Sequence, residues 1–228
     1  MKLSGIQKLT LLDYPGKIAC TLFTPGCNFR CPFCHNASLV LRPEEQLDLD
    51  EVFSFLQKRR GVLQGICLTG GEPLLQQGVE GFLQRVREMG YAVKLDTNGY
   101  FPDRLRDMVS SGLVDYVAMD VKNSPSRYGE TVGIPGFDPG PVENSIRFLL
   151  SGPVDYEFRT TVVREFHDEK SLLELAGWIA GAKRYFLQAF QDSGDLIQPG
   201  LTGYAPHELE QLRDAVALRL PCTALRGV

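Results

Sequence analysis

The chain has no excess of basic charge, no long apolar run and no even spread of cysteines, and each absence closes off a class of function. Its 228 residues carry 24 Lys and Arg against 28 Asp and Glu, a formal net charge of -4. A nucleic-acid partner normally needs a basic stripe. The one basic cluster, Lys58-Arg59-Arg60, falls at the expected end of a helix, where cations complement the dipole. No segment approaches the roughly 18 apolar residues that span a membrane. The first residues, Met1-Lys2-Leu3-Ser4-Gly5, lack the apolar core and cleavage site of a signal peptide. Low-complexity segments and strong repeats are missing too. Of six cysteines, three lie within eight residues and three are scattered, which is not the layout of a disulfide framework. These features predict a cytoplasmic protein without a nucleic-acid or membrane partner. In a reducing compartment a tight thiol cluster points to metal or redox chemistry.

Hydrophobic residues make up 43% and charged residues 23%, ordinary globular usage in a chain long enough to bury a core without staples. One domain over residues 1–228 is expected, with an irregular tail from about residue 219. Short β-branched runs alternate with amphipathic helical patterns, the signature of βαβ units and a parallel sheet. Strands are predicted at residues 18–23, 65–68, 91–95, 116–119, 156–163 and 185–188. A helix over 48–58 places Leu49, Val52, Phe53 and Leu56 on one face. Asp48 and Glu51 would form its capping box. A second carries Val79, Phe82, Leu83 and Val86 and stops at Gly90. Others are expected over 102–110, around Val142, Ile146, Leu149 and Leu150, around Leu172, Leu175, Ala176 and Ile179, and over 206–218. Six such units form either an open doubly wound sheet or an incomplete barrel, and periodicity does not separate the two. Both bind ligands at the C-terminal strand ends, and every unusual motif of this chain falls there. The Gly/Pro-rich stretch 123–141 is too long for an ordinary βα connection and reads as a functional or mobile loop.

After the first predicted strand stands Cys27-Asn28-Phe29-Arg30-Cys31-Pro32-Phe33-Cys34-His35-Asn36, a C-x3-C-x2-C spacing. A [4Fe–4S] cluster usually takes four thiolates, one for each iron. Three leave one iron with open coordination, able to chelate the amino and carboxylate groups of a methionine moiety. The adjacent sulfonium could then accept an electron from the cluster. Reductive cleavage of its S–C bond would yield methionine and a 5′-deoxyadenosyl radical, cofactor chemistry that a protein chiefly positions and shields. The plainer alternative is a structural zinc site with His35 as fourth ligand. Cys34 and His35 are sequence neighbours that would struggle to reach one tetrahedral ion, and the usual C-x2-C pairs are missing.

Gly70-Gly71-Glu72-Pro73 follows the second strand. Its glycines let the backbone approach a ligand, their carbonyls can take an ammonium group, and Glu72 could add a negative partner. A Gly-Gly pair is otherwise only a turn. The third strand ends in Asp96-Thr97-Asn98-Gly99, which would equally serve as a capped turn. The fourth ends in Met119-Asp120-Val121-Lys122, where Asp120 and Lys122 share a face and could simply pair. Arg159, on the fifth strand, needs a polar partner if it faces inward. Cys20 and Cys67 read as small buried hydrophobes, and Cys222 has no assigned role. His167 and His207, near helix starts, are expected to face solvent.

The cysteine loop resembles the signature of the radical S-adenosylmethionine superfamily. Leu11-Leu12-Asp13-Tyr14-Pro15-Gly16 ahead of it and Cys34-His35-Asn36 at its end resemble the glycyl-radical-enzyme activating enzymes, above all those serving anaerobic ribonucleoside-triphosphate reductase. The likeness runs from about Gly5 to Leu196. It implies an α/β fold, the incomplete (β/α)6 TIM-like barrel of that superfamily. It also implies one [4Fe–4S] cluster on Cys27, Cys31 and Cys34, with S-adenosylmethionine cleaved to set a glycyl radical on a partner enzyme. The electron would come from a flavodoxin or ferredoxin. By motif position, Gly70, Gly71 and Glu72 would hold the methionine amino group, and Lys122 its carboxylate. Arg159 would lie by the carboxylate or ribose, and Asp96 and Asn98 would contact S-adenosylmethionine. Asp96, Thr97, Asp120 and the Met119 carbonyl can hold a monovalent cation near the sulfonium. Phe33 would stack near adenine or shield the cluster, and Asp13 would face the target glycine loop. Some relatives carry a histidine at the sixth strand end. Here the residues are Leu187-Gln188-Ala189-Phe190-Gln191, so Gln188 would donate in its place or Phe190 would stack on adenine. The scattered remaining cysteines imply the compact form with one cluster. Loops 123–141 and 192–204 are expected to order around the partner. Within the superfamily the alternative is a small-molecule enzyme such as one forming a deazapurine. Outside it, the alternative is a non-catalytic zinc-binding module.

Overall fold

A computed structural model describes residues 1–41 and 46–228. Eight strands lie in one sheet in chain order: β1 (Gly5–Thr10), β2 (Ala19–Thr24), β3 (Gly65–Gly70), β4 (Ala92–Thr97), β5 (Tyr116–Asp120), β6 (Asp155–Val162), β7 (Tyr185–Ala189) and β8 (Thr223–Arg226). β1 runs antiparallel to β2, and every later neighbour is parallel. No pairing joins β8 to β1 among the described residues, so the sheet curls as a barrel left open on one side.

The β2-to-β7 run follows the predicted strands to within two residues at every end. The two outermost strands were not foreseen. β1 carries Gln7 and Lys8 with half of its length exposed, so it has no hydrophobic run to mark it. β8 replaces the expected irregular tail. Its four residues pair with β7 from Tyr185↔Thr223 to Gln188↔Arg226, too short a run for alternation to show.

Helices cover the outer face: α1 (Ala37–Leu41), α2 (Leu49–Lys58), α3 (Val79–Glu88), α4 (Pro102–Ser110), α5 (Tyr128–Thr131), α6 (Gly140–Leu150), α7 (Glu169–Trp178) and α8 (Pro206–Ala217). Asp48 caps α2 by accepting from the Asp50 N–H at 2.8 Å, one residue short of the expected box partner. The predicted stripes Val52, Phe53, Leu56 and Val79, Phe82, Leu83, Val86 join Leu22, Leu68, Leu95, Val117, Phe158 and Leu187 in one core. Each such side chain, fully buried, contributes about 1.5–3 kcal/mol of burial free energy. The alternate strand positions face the concave side and bring together the polar Thr21, Lys94, Asp96, Asp120, Glu157 and Arg159. The stretch 123–141 is not a bare loop. A 3-10 turn at Pro125–Arg127 leads into α5, and Tyr128 stacks on Phe137 at 5.2 Å.

Candidate active site

The cysteine loop leaves β2 at Thr24 and is laced to the next strand end. The Gly71 N–H donates to the Thr24 carbonyl and the Glu72 N–H to the Gly26 carbonyl, both at 2.8 Å. A Cβ on Gly70, whose φ is +118°, would collide with the Thr24 backbone, and one on Gly71 with the Gly26 carbonyl. Both glycines are therefore required first by this chain crossing, before any ligand is considered. Arg30 folds back to donate to the Cys27 and Phe29 carbonyls, each at 2.7 Å. Phe29 then anchors the loop in a cluster with Tyr100, Tyr128 and Phe137.

Cys27, Cys31 and Cys34 line a single cavity of about 220 Å³ at the C-terminal strand ends. Also on its walls are Phe33, Gly70, Gly71, Asp96, Thr97, Asn98, Asp120, Lys122, Arg159 and Gln188. Sequence-distant motifs from six strands thus converge on one place. Among the described residues, no three His, Cys, Asp or Glu side chains are grouped as a single-ion site would need. Three thiols sharing one cavity suit a larger group bound through several irons. Burial pushes the free Cys27 thiol up to about 11 and the Cys31 thiol to about 12, with the Lys122 charge opposing in both. Iron binding must displace these protons, so loading releases them. The Phe29 N–H donates to the Cys27 sulfur at 3.3 Å, and the Asn98 amide lies 3.7 Å from it.

Beside the thiols lies a buried ion network. Arg159 bridges two strand ends: its Nη1 donates to Asp96 Oδ2 at 3.2 Å and its Nε to Asp120 Oδ1 at 2.9 Å. Lys122 pairs with Asp120 Oδ2 at 2.9 Å, and Lys94 pairs with Asp96 Oδ1. Burial alone would raise both carboxyls, but the charges of Arg159 and the lysines carry Asp96 and Asp120 below the usual range. Burial likewise works against Lys122 and Arg159, and the carboxylates overcome it to hold both cations charged. Arg159 therefore faces inward.

Three of the predicted site residues do not line the cavity. Glu72 is fully buried behind it. Its Oε1 accepts from the Leu74 N–H at 3.0 Å and the Thr97 hydroxyl at 2.8 Å, and its Oε2 from the Asn98 N–H at 2.7 Å. With both oxygens occupied, it braces the β3 and β4 ends. Burial outweighs those hydrogen bonds and pushes its carboxyl up to about 7. Met119 is buried on the helix side, with its thioether packed under Gly99. Asp13 sits on the β1–β2 connection, at the end of the strands away from the cavity, where it accepts from the Thr21 hydroxyl.

His167 corrects the expectation of solvent exposure, since it is 1% exposed. Its Nδ1 accepts from the Val163 N–H at 3.1 Å, which leaves Nε2 to donate to the Lys122 carbonyl at 2.8 Å. Burial lowers its pKa and keeps the ring neutral. Its ring meets Phe33 edge-on at 6.1 Å. Phe33 is thus held from behind, and the Lys122 backbone is fixed through the same histidine. The segment expected to await a partner, 192–204, is already fastened to the cysteine loop. Asp195 accepts from the Ser38 hydroxyl at 2.7 Å, and the Gln198 N–H donates to the Pro32 carbonyl at 2.9 Å. Sequence reasoning also passed over Lys94, Thr161 and Asn28, whose carbonyl oxygen accepts from the Asn98 amide at 2.8 Å.

A thiol loop, a cation-rich strand end and a curled, open parallel sheet define a class, and comparison agrees: the chain belongs to the Radical SAM superfamily, whose profile matches residues 21–176. Membership carries the [4Fe–4S] cluster and S-adenosylmethionine of that superfamily, and makes the chain an enzyme of radical chemistry. It is 33% identical over 193 residues to a provisionally named glycyl-radical enzyme activating enzyme of Methanocaldococcus jannaschii, covering 82% of this chain and 79% of the relative. It is 32% identical over 143 residues to the 7-carboxy-7-deazaguanine synthase of Koribacter versatilis, covering 61% and 59%. In fold it matches Streptococcus suis SuiB bound to precursor peptide SuiA, with a TM-score of 0.70 at 14% identity, over 91% of this chain and 48% of that one. No helix among the described residues is long and apolar enough to cross a membrane.

Proposed function

We propose that this enzyme is an activase that places a glycyl radical on a partner protein, with anaerobic ribonucleoside-triphosphate reductase the first candidate and a flavodoxin or ferredoxin the electron donor. The observation that carries the reading is the convergence of Cys27, Cys31 and Cys34 with Lys122 and Arg159 on one cavity at the mouth of an open barrel. The likeness to the M. jannaschii relative, which spans most of both chains, supports the activase branch. So do the exposed side chains Leu9, Leu11 and Leu12 on the β1 edge beside Asp13, 57%, 68% and 90% exposed. A protein partner would cover such a surface, while its glycine loop reaches the cavity at the other end of the strands.

When bound, the cluster supplies one electron to S-adenosylmethionine, releasing methionine and the deoxyadenosyl radical that takes a hydrogen atom from the glycine Cα. The chain's own residues hold and orient. Cys27, Cys31 and Cys34 would ligate three irons. The Gly70 and Gly71 carbonyls accept from the methionine ammonium, and Lys122 and Arg159 receive its carboxylate. Asn98 and Gln188 present hydrogen-bonding groups to the adenosine side. Phe33, wedged by Phe166 and His167, gives an apolar wall that keeps water from the reacting atoms. Glu72 acts through Thr97 and Asn98 rather than on the ligand.

The test is anaerobic reconstitution, then dithionite and S-adenosylmethionine with and without an anaerobic ribonucleotide reductase. A glycyl doublet in electron paramagnetic resonance with stoichiometric 5′-deoxyadenosine supports the activase. Deoxyadenosine without the doublet moves the reading to another partner, or to the small-molecule chemistry that the deazaguanine relative represents. No deoxyadenosine from a cluster-loaded protein ends it.

A further inference from the structure

The mouth of the barrel already holds the positive charge that a monovalent cation would bring. Family resemblance makes the Asp96, Thr97 and Asp120 side chains the ligands of such an ion, with the Met119 carbonyl. All four carboxylate oxygens are committed instead. Asp96 Oδ1 is taken by Lys94 and Asp96 Oδ2 by Arg159 Nη1; Asp120 Oδ1 is taken by Arg159 Nε and Asp120 Oδ2 by Lys122. The Thr97 hydroxyl donates to Glu72 and accepts from the Gly99 N–H at 3.1 Å. These three side chains do not fit a metal cation as they stand.

Charge reinforces the geometry. Three cations face two carboxylates, leaving one unmatched positive charge among groups that are all less than a third exposed. One carboxylate from a ligand would balance it. An added metal ion would raise the excess in a site where water screens little. The planar guanidinium suits the place better than an ion would. It spans two carboxylates with fixed donors and keeps further donor capacity for a third anion.

We infer that Arg159 is the built-in replacement for the monovalent cation. Its guanidinium, fixed between Asp96 and Asp120, supplies the charge that receives the methionine carboxylate, and S-adenosylmethionine binds without Na⁺ or K⁺. This rests on the S-adenosylmethionine reading of the same cavity.

The experiment measures binding rather than turnover. The full chain, reconstituted anaerobically with iron and sulfide, is titrated with S-adenosylmethionine by calorimetry in sodium, potassium and choline chloride at equal ionic strength. Iron content and the visible spectrum verify the cluster in each sample. The dissociation constant is expected to agree within about twofold across the three salts. A loss of about tenfold or more in choline overturns the inference. In Arg159→Gln, binding should fall at least about tenfold in choline and recover in part when Na⁺ or K⁺ is restored. Unchanged binding in that variant, or the same loss in every salt, overturns the replacement role. If the variant does not fold, the wild-type salt series decides alone. Cluster-loaded wild-type protein that binds no S-adenosylmethionine in any salt overturns the functional reading, whereas a choline-sensitive wild type overturns only the inference.

Discussion

At the mouth of the barrel Arg159 bridges Asp96 and Asp120 on the wall of a cavity. At the floor Arg226 grips Glu157 through both Nη atoms, at 2.7 and 3.1 Å, and neither residue lines the thiol cavity. Tyr116 donates to the same Glu157 at 2.9 Å, and Tyr14 packs beneath against Tyr116. Both clusters lie on the concave face, and both hold carboxylates below their ordinary range: burial opposes ionisation, and the arginines outweigh it. The difference lies in what each cluster borders. The floor holds its one carboxylate between Arg226 and a phenol, which in turn accepts from the exposed Arg184 at 3.3 Å. The mouth keeps one cation in excess and faces open space. A charged network becomes a candidate site when it holds an unmatched charge on the wall of a cavity rather than at the solvent-exposed rim.

The largest effect should come from removing the thiols. Cys27→Ala, Cys31→Ala or Cys34→Ala should each abolish deoxyadenosine formation, because a cluster held by two thiolates loses an iron anchor. Cys222→Ala should leave the rate unchanged, since that thiol only meets the Ala182 carbonyl at 3.1 Å. Product assay on all four variants checks this, and an active Cys31→Ala would end the cluster assignment.

The second pair sets mouth against floor directly. Lys122→Met removes a charge-assisted contact to the ligand carboxylate, worth about 1.5–3 kcal/mol, so the S-adenosylmethionine dissociation constant should rise about 10- to 100-fold. Glu157→Gln should leave that constant within about twofold but lower unfolding stability by about 1–3 kcal/mol, because Arg226, partly exposed, can recover water. Equal weakening of ligand binding by both variants would erase the distinction between the two networks.

Much of this contrast was legible in the sequence, though not all of it was read. Asp120 and Lys122 were seen to share a face, and the same period-2 spacing marks Lys94 with Asp96 and Glu157 with Arg159. Charged residues alternating with Val, Leu and Phe on adjacent parallel strands can only line the concave side. That pattern would have turned Arg159 inward and added Lys94. The convergence of the C-terminal strand ends was readable because parallel βα topology dictates it. Other features depended on tertiary packing. Nothing local announces that Glu72 spends both oxygens on Leu74, Thr97 and Asn98, or that His167 is buried behind Phe33. The edge strands were missed because β1 is too polar and β8 too short for periodicity to register.

Glu72 also separates the regions by pH. Its carboxyl rises from 4.5 to about 7 in the fold, chiefly through burial. The folded state therefore binds more protons than the unfolded state between these values, so its contribution lowers stability as pH rises across that window. The full cost is reached above about 7 and is on the order of 3 kcal/mol. Asp96, Asp120 and Glu157 act in the opposite sense, with stability present at neutral pH and lost in acid. Glu72→Gln should remove the decline between pH 4.5 and 7 while keeping the acid loss, measured by anaerobic chemical denaturation at stepped pH. An unchanged slope would mean that Glu72 is already ionised in the fold.

The smallest effect is expected where the surface segment meets the cysteine loop. Asp195 accepts from the Ser38 hydroxyl at 2.7 Å and from the Ser38 N–H at 3.1 Å, all in exposed surroundings. Exposed hydrogen bonds contribute about 0.5–1.5 kcal/mol each, too little for the barrel to depend on them. The same contacts nevertheless press residues 192–198 over the loop that carries all three thiols, with the Gln198–Pro32 bond as a second fastening. Asp195→Ala should therefore leave the melting temperature within about 2 °C and S-adenosylmethionine affinity within about twofold, while the reconstituted cluster bleaches in air about two to three times faster. The decay of the visible iron–sulfur absorption reads the difference. Equal decay in the two proteins would mean that access to the mouth is set by the aromatic packing around Phe29 and Phe33 rather than by the segment laid over it.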